Sequence, residues 1–228
     1  ADRIGRTIEA ARALSDDIVV VDSGSSDGTQ ALAESLGARV IFNTWPGYGQ
    51  QKRFAEEQCR HDWLLNLDAD EVVPPDLAAE IVSLFADGAP PKDAYKIRIA
   101  EIFPGEGAPH RFAYALAPVR LYRKSKGRYS PSPVHDRVDL APDAHVGRLR
   151  GTVHHFSVRS LGEQMDKLNA YSDAQADDLD ARGGTLSVFR LVAEFPANFL
   201  KAYIGRRHAL RGIYGFMTAM NYAFYRYL

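Results

Sequence analysis

The sequence predicts an α/β fold: a mixed, mainly parallel sheet flanked by helices, with a helical extension at the C-terminal end. Three observations predict it. Ile18-Val-Val-Val-Asp22 is a short β-branched run of the kind buried on both faces of a parallel sheet. The turn-forming Ser23-Gly24-Ser25-Ser26-Asp27-Gly28 follows at once, with Asp27 as N-cap of a helix over about 28–36 that stops at Gly37. Ala38 to Phe42 then reads as a second strand, so strand, turn, helix and strand fit within about 25 residues.

The remaining elements follow in order. Residues 1–12 read as a charged amphipathic helix with Ile4 and Ile8 on one face, which is no signal peptide. After Trp45-Pro-Gly-Tyr-Gly49, residues 50–60 look helical, and Trp63 to Leu67 is a buried strand ending on Asp68-Ala69-Asp70-Glu71. Pro74 and Pro75 stop that run, and a helix spans about 76–86. Alternation at 94–102 and 117–123, and again at 153–156, predicts further strands. Ser160 and Glu163 have capping-box spacing and open a helix to about 181, striped by Leu161, Met165, Leu168 and Leu179. Gly183-Gly184 then divides a body, 1–182, from a tail, 183–228.

The charge balance sharpens that division. The net charge of -1 argues against a general nucleic-acid binder. Yet residues 195–228 carry five basic side chains and no acid, and nine Phe and Tyr, while the first 194 residues hold an excess of six acids. Such a basic, aromatic tail suits the interfacial layer of an anionic membrane, or packing on the body or on a second copy of the chain. The longest apolar stretch, Ile213 to Leu228, is too short and too polar to span a bilayer. Cys59 is the lone cysteine, which excludes an internal disulfide and fits a cytoplasmic setting.

Chemistry concentrates at strand ends. On an extended strand Asp68 and Asp70 would face one point and offer hard oxygen ligands to a divalent cation, which in turn holds a diphosphate. The bland alternative is a solvated acidic turn. Asp22 and Ser23 end the other acidic strand, where they would meet a base or ribose, or simply close a turn. Lys52 and Gln51 open a helix and would meet phosphate through side chain or dipole, or only water. Arg120 and Lys96 are weaker candidates.

These motifs resemble the family 2 glycosyltransferases of GT-A fold. The resemblance rests on Ile18-Val-Val-Val-Asp-Ser-Gly-Ser-Ser-Asp-Gly-Thr29 and Leu65-Asn-Leu-Asp-Ala-Asp-Glu71. Trp45-Pro-Gly-Tyr-Gly-Gln-Gln-Lys52, Val119-Arg-Leu-Tyr122, Val134-His-Asp136 and His154-His-Phe-Ser157 look like the bacterial enzymes that add glucose to the lipopolysaccharide inner core. It implies Asp22 at the nucleotide, Asp68 facing ribose and diphosphate, and Asp70 holding Mg or Mn. A late histidine completes the metal shell, and His155 suits that role better than His154. It implies inversion by direct displacement, with Asp136 as the general base on the acceptor hydroxyl; an ion pair of Asp136 with Arg137 or Arg120 is the structural alternative. UDP-glucose is the implied donor and a lipid-linked saccharide the acceptor, handled at the inner face of the cytoplasmic membrane.

Family members begin with an apolar strand placed in mid-sheet, and this sequence starts just after the position for it, so the expectation is that residues precede Ala1. A nucleotidyl- or phosphotransferase with the same acidic strand ends, and a non-catalytic membrane adaptor, remain the other readings of the residues.

Overall fold

The computed structural model describes the chain except residues 1, 133–135, 158, 167, 170–171, 173–175, 177–182, 184–187 and 228, and describes only the backbone of 188–191 and 227. Two compact units emerge. One comprises residues 1–100 and 115–155, the other residues 101–114 and 156–228. The first unit ends at residue 155, and a segment from mid-chain joins the C-terminal unit. Linear composition does not register such an excursion.

In the first unit, helix α1 (Asp2–Ala11) buries Ile4, Thr7 and Ile8, the i, i+3, i+4 face of one stripe. Strand β1 (Val19–Asp22) runs into helix α2 (Thr29–Ser35), and β2 (Arg39–Phe42) pairs with β1 in parallel. Gly37 closes α2 at φ +85, a left-handed angle that glycine adopts without strain. Ile4, Ile8, Ala33 and Ala38 form the core between these elements. Helix α3 (Tyr48–Gln58) leads to β3 (Trp63–Leu65).

Then come β4 (Glu71–Val72), helix α4 (Pro75–Leu84), β5 (Ala94–Glu101), β6 (Ala115–Leu116), β7 (Val119–Arg123), β8 (Gly127–Tyr129), β9 (Val138–Leu140) and β10 (Val146–His155). The main sheet is ordered β3-β7-β5-β10-β4, with β6 on β5, and β8 pairs β9 separately. Leu77 and Ile81 of α4 pack on Ile97, Leu121, Leu149 and Val153 of that sheet. Gly151 lets α4 approach, because a Cβ there would stand 2.7 Å from Leu77 Cβ.

The α/β architecture is as expected, but the balance of strand directions is not. Only β1 with β2 is a parallel pair among the described registers; β3 with β7, β7 with β5, β5 with β6, β10 with β4 and β8 with β9 are antiparallel. The free edges of β1 and β3 line a cavity of about 530 Å³, walled by Ile8, Val19, Val21, Leu65, Phe85 and Leu121 among others.

In the second unit, residues 161–166 are helical, and the rest of the helix expected to about 181 lies largely outside the described residues. The tail forms two helices, Val188–Leu200 and Gly212–Tyr227, joined through a wide turn at Lys201–Gly205 and a tight one at His208–Arg211. Phe199 stacks on Tyr203 at a centroid separation of 5.1 Å, and both meet Phe216 edge to face at 5.9 Å. Among the described residues, no helix is long and apolar enough to cross a membrane.

Candidate active site

The turn after β3 is the centre of the site. Asp68 and Asp70 do not sit on extended strand: the Glu71 N–H donates to the Asp68 carbonyl at 3.0 Å, and the Asp68 N–H donates back to Glu71 Oε2 at 3.0 Å. This turn sends the two aspartates to different partners, so strand alternation does not bring them together as the spacing predicts. α1 steadies the turn through Thr7 Oγ1, which donates to the Ala69 carbonyl at 3.0 Å, and through Arg3 Nη1, 3.6 Å from Asp70.

Asp68 lies between two cations. Lys52 Nζ is 2.7 Å from Asp68 Oδ1 and also 2.7 Å from Asp136 Oδ2, while Arg120 Nη2 is 3.2 Å from Asp68 Oδ2. Burial would raise the Asp68 pKa, but Arg120 and Lys52 hold it well below the usual carboxylate range. Lys52 is raised: burial and the Arg120 charge oppose this, and Asp68, Tyr129 and Asp136 outweigh them. The ammonium therefore stays charged. It bridges Asp136, whose predicted partners were Arg137 or Arg120; Arg137 instead pairs with Asp139 at 3.0 Å. His135, Val134 and Pro133 lie outside the described residues.

Arg120 organises this cluster. It is 6% exposed, with Nη2 2.8 Å from Glu71 Oε1 and Nη1 2.9 Å from Asn66 Oδ1. The Tyr129 hydroxyl joins Asn66 Oδ1 at 2.9 Å, and the Tyr129 ring lies 5.3 Å from the Lys52 ammonium. Glu71 is fully buried, and burial raises its pKa despite the adjacent guanidinium. Sequence reasoning ranked Arg120 low and gave Glu71 no role. The available signal was a charge inside the apolar run Val119-Arg-Leu-Tyr122, which a strand can bury only against an acid. Lys96 is exposed on β5 and meets none of these groups.

On the other side of the turn, His155 Nε2 is 3.3 Å from Asp70 Oδ1. Burial lowers the pKa of both histidines, but Asp70, Glu71 and Asp68 raise His155, whereas His154 stays lowered. β10 alternation turns His154 away. The Asp70 carboxylate and the His155 imidazole are thus one convergent donor pair, chemically suited to Mn or Mg with further oxygens from a diphosphate. Asp68 is not part of that pair, because Lys52 and Arg120 engage both of its oxygens. Among the described residues, no three His, Cys, Asp or Glu side chains converge on one point.

Asp22 is buried at the end of β1. Its Oδ1 accepts from the N–H groups of Gly24 and Ser25, each at 2.8 Å, and from Gln30 Nε2 at 2.6 Å; these bonds lower its pKa against the opposing effect of burial. Turn closure is therefore one role that the structure gives it. Ser23 Oγ accepts from Gln51 Nε2 at 2.9 Å, and Asn43 Nδ2 donates to Gln51 Oε1 at 2.7 Å. Gln51 thus faces the Asp22 side of α3, and Lys52 faces the Asp68 side.

With this geometry in place, known proteins offer a comparison. Residues 1–138 match the family model described as Glycosyl transferase family 2. An uncharacterized glycosyltransferase, RP128, from Rickettsia prowazekii is 37% identical over 99% of this chain and 80% of its own length. The lipopolysaccharide core biosynthesis glycosyltransferase LpsC of Rhizobium meliloti is 33% identical over 99% of this chain and 84% of its own. Among solved structures, S. aureus TarS residues 1–349 superpose with a TM-score of 0.50 over 96% of this chain and 77% of that one, at 14% identity, a likeness of fold. The acidic turn, the parallel β1–β2 unit and these matches agree: the chain is a member of glycosyltransferase family 2, with a mixed α/β fold of GT-A type.

Proposed function

We propose that the chain transfers a hexose, with inversion, from a nucleoside diphosphate sugar to a saccharide carried on a lipid, at the surface of an anionic membrane. The observation that carries this reading is the line of groups Asp136–Lys52–Asp68–Arg120, beside the Asp70–His155 pair. One ammonium, Lys52, links Asp136 to the Asp68 cluster, and we read Asp136 as the acceptor side and the cluster as the diphosphate side. UDP-glucose is the donor we favour. The similarity to LpsC, whose name places it in lipopolysaccharide core biosynthesis, supports a lipid-linked acceptor.

In this reading Asp136 takes the proton of the attacking hydroxyl. It is 41% exposed, so an acceptor reaches it. Lys52 steers Asp136 and offers positive charge to a diphosphate oxygen once the donor is bound. Asp70 and His155 would hold a divalent cation, which supplies charge to the departing nucleoside diphosphate. Asp22 and Ser23 line the nucleotide end. Leu200, Ile204, Leu210 and Ile213 are all more than half exposed around the turns between the tail helices, with exposed Lys201 and Arg207 among them, a composition suited to an interfacial surface.

The test is nucleotide release from a panel of UDP- and GDP-sugars with Mn, with and without chelator. Release with one donor, lost on chelation, supports the reading; silence across the panel overturns it. Asp136→Asn should lose transfer by at least about 100-fold while retaining nucleotide binding. Flotation with anionic vesicles should weaken when Ile204 and Ile213 become Gln, and equal flotation would remove the membrane from the proposal.

A further inference from the structure

Trp45 and Tyr48 form an exposed aromatic pair that the groups above do not use. Their rings meet edge to face at a centroid distance of 5.0 Å, with Trp45 52% and Tyr48 41% exposed. Nothing about core packing accounts for two large aromatics left so open. Their backbone is nevertheless fixed. Trp45 precedes Pro46, which restricts its backbone to extended conformations, and Gly47 makes the turn into α3 at φ +121. The Gly49 N–H donates to the Ser132 carbonyl at 3.0 Å, tying the start of α3 to the segment that leads to Asp136.

The position of the pair is informative. Tyr48 and Lys52 are i and i+4 on α3 and so share a face, and Lys52 Nζ touches both Asp68 and Asp136. The ring pair therefore lies one helical turn from Lys52, whose ammonium touches the carboxylate proposed to receive the acceptor proton. Gln51, the neighbour that points toward Ser23, marks the nucleotide side of the same helix. An exposed aromatic face carries negative charge density, and the axial C–H groups of a pyranose carry the complementary partial charge on an apolar face. A ring pair whose backbone is restricted in advance loses less entropy on binding.

We infer that Trp45 and Tyr48 are a saccharide-stacking subsite that holds a sugar ring of the acceptor beside Asp136. This rests on the proposed glycosyl transfer for its purpose, but its binding can be measured without turnover. The probe is the core oligosaccharide released from lipopolysaccharide by mild acid, added while iodide quenches tryptophan emission. Trp63, the second of two tryptophans, packs against Phe85 and Tyr95 and contributes a weakly quenched background. The oligosaccharide should shield Trp45 from iodide, and the shielding should vanish in Trp45→Phe read against its own background. In transfer assays Trp45→Ala should raise the acceptor KM about tenfold and shift the donor KM by less than twofold, with Trp45→Phe recovering most of the loss. Shielding in a protein that releases no nucleotide from any donor would keep the subsite and remove the transfer reading. Transfer with an unaltered acceptor KM in Trp45→Ala, or no shielding by the oligosaccharide, would overturn the subsite.

Discussion

Among the described residues each unit buries one arginine, and the two are held in opposite ways. In the first unit Arg120 meets two carboxylates, Glu71 at 2.8 Å and Asp68 at 3.2 Å, and these keep its charge secure against burial. In the second, Arg211 ion-pairs with Glu106 at 2.5 Å, and its guanidinium lies 3.3 Å from the centre of the Phe103 ring; burial lowers its pKa although Glu106 and Glu101 oppose this. The Nε of each is buried without a hydrogen-bond partner among the described residues. Arg120 therefore compensates the two carboxylates Asp68 and Glu71, whereas Arg211 is a staple between residues 101–114 and the tail. The difference teaches where negative charge is concentrated and what must be present to hold it there.

The sharpest way to break that comparison is to remove each cation. Arg120→Met strands Glu71 and leaves Asp68 to Lys52 alone, and should cost about 3–5 kcal/mol in denaturant unfolding. The double change Arg120→Met with Glu71→Met should cost clearly less than the sum of the two singles, since no buried acid is then left bare. Arg211→Met removes one pair and a ring contact, and should cost about half as much. Equal costs at the two sites would mean that the extra acids around Arg120 add nothing.

Gly215 tests the staple from its other side. A Cβ at this position would stand 2.0 Å from the His208 carbonyl oxygen and 3.0 Å from Arg211 Cβ, so backbone has to move. Gly215→Ala should destabilise by about 2–3 kcal/mol in thermal or denaturant unfolding, although alanine is the better helix former.

His208 gives a smaller effect with a definite sign. Burial and the charges of Arg211 and Arg206 lower its pKa to about 4, and its Nδ1 has no partner among the described residues. Because the folded value lies below the unfolded one of about 6.5, the unfolded chain takes up the proton first as pH falls. His208 contributes fully above about pH 6.5, and that contribution is lost progressively toward pH 4. Between pH 7 and pH 5 the loss should be roughly 1–2 kcal/mol, and His208→Phe should flatten that part of the stability profile. A steeper profile in the variant would reverse the assignment.

How much of this was legible in the sequence depends on whether the cause was local. The run Ile18 to Asp22, the Gly37 stop and the helix after Pro74 follow from periodicity and turn chemistry within a few residues, and they lie close to where they were expected. Alternation on β10 says that only one of two adjacent histidines can face the turn but not which one, and the structure places His155 there, against Asp70. The turn itself was not legible. Asp-Ala-Asp after an apolar strand suits extended chain equally well, and the deciding bond comes from Glu71, held in turn by Arg120 from about 50 residues away. The association of 101–114 with the tail is non-local in the same sense, resting on Glu106–Arg211 and on the contact of Phe103 with His208.

The smallest expected effect returns to glycine and reverses its sign. Gly5 lies within α1, and a Cβ there would meet Leu32 Cδ2 at 3.4 Å and Leu36 Cδ1 at 3.8 Å, ordinary contacts with flexible side-chain ends. Gly5→Ala should therefore show what a helical glycine costs when nothing occupies the space, a gain of about 0.5–1 kcal/mol from reduced freedom of the unfolded chain and a little added burial against α2. The same substitution thus stabilises one unit and destabilises the other, and helix propensity alone predicts gains in both. If Gly215→Ala also proves stabilising, the close approach of the His208 carbonyl does not constrain the tail. The contrast between the two units would then have to rest on the arginines alone.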